Sequence, residues 1–237
     1  MDIIRPKTIN SSAEVNSVRA GIAHHLSLTH IRNATFFAKS AASIEANPDA
    51  KSSEDLRQKH IACVMGAILS AVSFLEANIN EFFWEVAETP SDRVKELDVG
   101  LKELLTGFWK QNSILFKPNF SLLEKYELVL VLARKPIMDK GKEPYQPVDD
   151  LIQVRNTMVH YRPEWSFGEP LSLEKRLRGK FDLNPLAPQG SIFFPYLCLS
   201  FGCSKWAIES SLQFTDEFYK RIGVATGYEH IRQDLQL

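Results

Sequence analysis

The clearest pattern along the chain is an apolar stripe between residues 68 and 86. Ile68, Val72, Leu75, Ile79, Phe82 and Val86 recur at spacings of four and three. That keeps them on one side of an α-helix, which turns once every ~3.6 residues. Helical periodicity dominates elsewhere too, with no internal repeat and no low-complexity tract. A first helix is expected from about Ser12 to Ala46, ending before Asn47-Pro48, and the segment from Asn47 to Ser53 reads as a polar loop. Thr89-Pro90-Ser91-Asp92 supplies a capping threonine, a proline at the first position and a first-turn acid. A third helix is therefore expected to start there and run to about Lys110.

Ser121-Leu122-Leu123-Glu124 is a capping-box pattern, opening a fourth helix through Arg134, before Pro136. Leu128 to Leu132 would also suit a buried strand, but the box and the length favour helix. Asp139 to Pro147 is a turn-rich connector. Asp149 and Asp150 read as first-turn acids of the next helix, which Pro163 ends. Gly168 to Gly190 is irregular apart from a short basic helix near Ser172 to Arg178, and a last long helix is expected from about Pro195 to Ile222. No strand pair is evident. The fold class implied is all-α, an antiparallel helix bundle. It divides into an N-terminal helical segment, 1–54, and a helical domain, 55–237.

Composition changes this picture little. With 237 residues, 44% hydrophobic and 24% charged, the chain can bury a core without a disulfide or metal staple. Cys63, Cys198 and Cys203 sit in apolar stretches without zinc-type spacing and read as buried thiols. The N-terminus lacks the apolar core of a signal peptide, and the run Ile61 to Leu75 is shorter than a bilayer requires. A cytoplasmic protein is expected. The net charge of −1 supplies no global field for nucleic acid, so any RNA contact must use a local patch.

Candidate chemistry concentrates in Arg155-Asn156-Thr157-Met158-Val159-His160. An arginine holds phosphate with a planar fork of donors, and a histidine moves protons near neutral pH. The bare pattern is weak. Twelve arginines and six histidines give about 0.3 such pairs by chance, and Arg19 to His24 is a second copy. Context separates the two. Asn156 lies four residues before His160, on the same helix face, and His160 falls near a helix end. The alternative roles are ordinary ones: Arg155 as a solvated or ion-paired helix residue, His160 as a group bonding the last carbonyls.

Other candidates surround this motif. Glu76 and Asn80 share a polar flank of the stripe. Arg162, Lys175, Arg176, Arg178 and Lys180 form the densest basic region, suited either to phosphate contacts or to a solvated face. Tyr161, Trp165 and Phe167 would stack bases or pack a loop. His24, His25, His30 and His60 have no HExxH spacing and no cysteine partner, so no metal and no cofactor is expected. No Gly-rich phosphate loop or GxSxG elbow is present.

Arg155-Asn156-x-x-x-His160 on a late helix of an all-α chain resembles the HEPN (higher eukaryotes and prokaryotes nucleotide-binding) domains, whose signature is arginine, four to six residues, then histidine. Ala67 to Phe82 resembles their long early helix, acidic residue included at Glu76. Phe194 to Gly223 resembles the closing helix of HEPN-like bacterial proteins. The likeness spans roughly residues 55 to 222. It implies a metal-independent endoribonuclease, a homodimer with the site at the dimer cleft, and an antitoxin or phage-defence partner. His160 would be the general base or acid, Arg155 the stabiliser of the phosphorane, and Asn156 an orienting group. Glu76, with Asn80, would fix Arg155. The alternative within the same resemblance is a non-catalytic interaction or nucleotide-binding module. The His-x-Tyr modification site of one toxin group does not carry over, because His160-Tyr161 lacks the spacer.

Overall fold

Helix α2, Glu54–Ala87, is the axis of the molecule. The computed structural model describes residues 25–88, 91–112, 120–162 and 172–237. Among these there are seven α-helices, two 3-10 turns, one π turn and no strand, so the protein is all-α. Ser53 caps α2 by accepting from the Leu56 N–H at 3.3 Å, and Glu54 and Asp55 favour its positive N-terminal end. All six residues of the stripe are buried. Helix α1, Ser27–Glu45, packs along α2. Its Ile31, Ala34, Ala38 and Ala41 are buried in the same core as α2, and three alanines on that face allow close approach of the two helices.

Five more helices follow: α3, Val99–Asn112; α4, Leu122–Leu132; α5, Tyr145–Val159; α6, Ser172–Leu177, which packs on α5; and α7, Phe201–Ile222. Helices α3, α4, α5 and α7 all touch α2. An 18-residue window of α2 has mean hydropathy 1.7, enough by length and composition to cross a bilayer. Its buried side faces other helices. Phe82 meets Phe218 and Tyr219 of α7, and Phe83 meets Phe108 and Trp109 of α3. Each such ring removed from water contributes about 1.5–3 kcal/mol.

Several element boundaries differ from the sequence expectation. The expected first helix begins, within the described residues, at Ser27; residues 12–24 lie outside them. The expected loop after it contains a 3-10 turn, Pro48–Lys51, with the Asn47 side chain accepting from the Asp49 N–H. The third helix does not start at Pro90. Thr89 and Pro90 lie outside the described residues, and the chain from Asp92 to Leu97 forms turns. There Ser91 and Arg93 are drawn back to Glu85 of α2, and Asp98 caps α3 by accepting from the Leu101 N–H. The capping box at Ser121 and Glu124 is present as expected.

Helix α5 begins one turn early, at Tyr145, so Asp149 and Asp150 lie in its second turn. The last helix is interrupted. Phe193–Leu197 is a π turn, and α7 starts only at Phe201. Ser200 breaks the run: its backbone is extended, and its hydroxyl accepts from the Cys203 N–H while donating to the Asp182 carbonyl. The chain after Gly223 returns to the bundle through Tyr228 and Ile231, both buried.

Candidate functional site

Helix α5 presents its buried face, Leu151 and Val154, to the core and carries Arg155 and Asn156 at its rim. Arg155 is half-buried. Its Nε is shielded from solvent and has no hydrogen-bond partner. No carboxylate among the described residues forms an ion pair with it. A shielded donor without an acceptor costs roughly 1–3 kcal/mol, and an anion beside the guanidinium would remove that cost.

His160 is the C-cap of α5. Its N–H donates to the Asn156 carbonyl at 2.8 Å, and its side chain is exposed. The ring thus stands at a helix end. Arg155 is five residues earlier, about 140° around the helix, so the two groups can approach one phosphate from different sides. Tyr161 follows, half-exposed, with its ring 5.9 Å from that of Phe194. Trp165, Phe167 and Pro163 lie outside the described residues, as does the pair Arg19 and His24.

Glu76 and Asn80 do come together, but around Lys125 of α4. The Lys125 ammonium donates to the Glu76 carboxylate, and to Asn80 Oδ1 at 3.1 Å. Among the described residues Glu76 makes no ion pair with Arg155. Sequence reading missed Lys125, because its place between Glu124 and Glu127 on α4 gives no hint of a partner on α2.

The basic region separates into two groups. Arg176 of α6 bridges Asp149 and Asp150 of α5, and Lys180 donates to the second oxygen of Asp150 at 2.6 Å. Arg178, just past the end of α6, pairs with Glu174 of that helix. Burial alone would lower the Arg176 pKa, but the two carboxylates hold it above its ordinary value. Arg162 and Lys175 are exposed and form no ion pair among the described residues. The acids expected to start α5 therefore fasten α6 beside it.

Among the described residues no group of three or more His, Cys, Asp or Glu side chains gathers as a metal site would require. His60 is buried, with its Nε2 2.8 Å from Glu45 Oε1. Comparison with protein-family models, with curated proteins and with solved structures gave no match.

Proposed function

We propose that the end of α5 is the site of a metal-independent endoribonuclease of HEPN type. The observation that carries this reading is Arg155: a half-buried guanidinium whose Nε lacks an acceptor, on the same helix end as the exposed His160. In the proposed reaction His160 removes the proton of a ribose 2′-OH or protonates the leaving 5′-oxygen. Each such transfer is worth roughly 10²–10⁴-fold. The 2′-oxygen attacks the adjacent phosphorus and the bond to the 5′-oxygen breaks. Products are a 2′,3′-cyclic phosphate and a 5′-hydroxyl, and DNA, lacking the nucleophile, is not cut. Arg155 balances the charge gathering on the phosphorane, and Asn156 orients His160 or a phosphate oxygen. Arg162 and Lys175 are cations without carboxylate partners among the described residues, suited to flanking phosphates. A second copy of the chain would supply the facing motif, and an antitoxin or defence-system protein would control it.

The test is cleavage of single-stranded RNA by the purified chain with EDTA present. Wild type should release cyclic-phosphate ends, and His160→Ala and Arg155→Ala should not. Robust cleavage by His160→Ala would sink the assignment.

A second reading is a non-catalytic interaction module. It is favoured by the capture of Arg176, Arg178 and Lys180 by the chain's own carboxylates. Val159 and Tyr161 are also exposed on either side of His160, as a protein-contact surface would have them. Wild type that leaves RNA intact under these conditions would favour this reading.

A further inference from the structure

A polar cleft of about 260 Å³ opens where the start of α1, the C-terminal half of α2 and the segment 226–228 meet. It shares no residue with the Arg155–His160 site. Asn78, Glu81 and Glu85 of α2 line it. Their spacing of three and four puts them on one helix face, beside the apolar stripe.

The charges in the cleft do not cancel. Glu85 is taken by Arg93, whose Nε lies 3.0 Å from Glu85 Oε2. Arg93 Nη1 also donates to the carbonyls of Ala225 and Thr226, at 3.2 and 3.1 Å. This arginine is a fixed wall with its donors committed. Glu81 has no lysine or arginine partner among the described residues, although its side chain is only 18% exposed. It accepts from the backbone N–H of Ser27 at 2.9 Å and from the Ser27 hydroxyl, and His25 Nδ1 stands 3.4 Å away. A carboxylate held this far out of water favours a cation beside it.

A second feature points the same way. Asn78 is 5% exposed, and its Oδ1 accepts from the Tyr219 hydroxyl at 2.8 Å. Its amide nitrogen has no hydrogen-bond partner among the described residues. A side chain this buried normally satisfies both ends, and the cleft is the place from which an acceptor can reach it.

We propose that this cleft binds a small organic cation that also carries a carbonyl oxygen, the cationic end meeting Glu81 and the carbonyl accepting from the Asn78 amide. With the His25 ring neutral, Glu81 and Glu85 face one committed arginine, which disfavours a phosphate or carboxylate ligand and separates this site from the phosphate-directed end of α5.

The probe is β-alaninamide, titrated calorimetrically into the full chain and followed by amide shifts in NMR. Saturable binding is expected, with shifts confined to Ser27, Asn78, Thr226, Gly227 and Tyr228. Succinamate, with a carboxylate in place of the ammonium, should not bind. Glu81→Gln, whose amide oxygen can still accept from Ser27, should weaken β-alaninamide about tenfold or more, the worth of one charge-assisted hydrogen bond. Absence of saturable binding, equal affinity in Glu81→Gln, equal affinity for succinamate, or shifts centred elsewhere would each overturn the proposal. Should Glu81→Gln fail to fold, the shift map on wild type and the succinamate comparison decide it.

Discussion

Lys125 of α4 lays its ammonium on the Glu76 carboxylate of α2, and the two partners differ sharply in exposure: 8% for the lysine side chain and 41% for the glutamate. That asymmetry sets what each costs to remove. Glu76→Ala takes this carboxylate away from a buried ammonium and should destabilise by about 2–3 kcal/mol. Lys125→Met leaves a carboxylate that water can reach, and should cost less than about 1 kcal/mol. Urea unfolding of both variants measures the difference; the opposite order would mean that Glu76 is held by something other than Lys125.

Asp149 and Asp150 tether α6 through Arg176 and Lys180. The pair Asp149→Asn/Asp150→Asn should destabilise by about 3 kcal/mol, since Asp150 is buried against both cations. It should also leave two cations able to meet phosphates. If this face contacts RNA, the slope of log affinity against log salt steepens by about 1–2. A filter-binding series over salt reads this directly, and an unchanged slope would remove Arg176 and Lys180 from the RNA surface.

Arg134 follows the C-terminus of α4 with φ of 54°, in the left-handed region. Its N–H donates to the Val131 carbonyl, and the Lys135 N–H to the Leu130 carbonyl, which is the Schellman arrangement that glycine suits best. Arg134 is exposed. Arg134→Gly should therefore stabilise the protein, by about 0.5–1 kcal/mol. Thermal unfolding should shift upward by about 2–4 °C; a downward shift would show that the arginine side chain has a role of its own.

Two helical glycines should respond oppositely to alanine. A Cβ on Gly202, in the first turn of α7, would stand 2.6 Å from the Asp182 carbonyl oxygen and 2.9 Å from its nitrogen. Backbone cannot yield as a side-chain tip can, so Gly202→Ala should cost about 3 kcal/mol or more. A Cβ on Gly107 in α3 meets nothing within 4 Å, and Gly107→Ala should gain roughly 0.5–1 kcal/mol from helix propensity. Chemical denaturation of the two variants checks both signs.

The candidate site was partly legible before any coordinates. Pro163 places Arg155, Asn156 and His160 near the end of one helix, and α5 ends at Val159, with His160 as its cap. What the pattern did not reveal was the partner of each charged group. Glu76 goes to Lys125 and Arg176 goes to Asp150 because α4 and α6 approach α2 and α5 in space. Those pairs lie 49 and 26 residues apart along the chain. The cleft at Asn78, Glu81 and Glu85 left only a faint sign, three polar residues at helical spacing beside a core stripe.

By itself the sequence determined the helical class, the buried side of α2, the capping box of α4 and the region where α5 stops. Each depends on residues within a turn or two of one another, where periodicity and backbone sterics act directly. Only the tertiary structure decided that α3 starts after the Arg93–Glu85 pair and that α7 starts at a serine bonded to Asp182. It also decided which cations stay free of carboxylates among the described residues. Those outcomes depend on groups brought together by packing, and a local pattern carries no record of what lies across the interface.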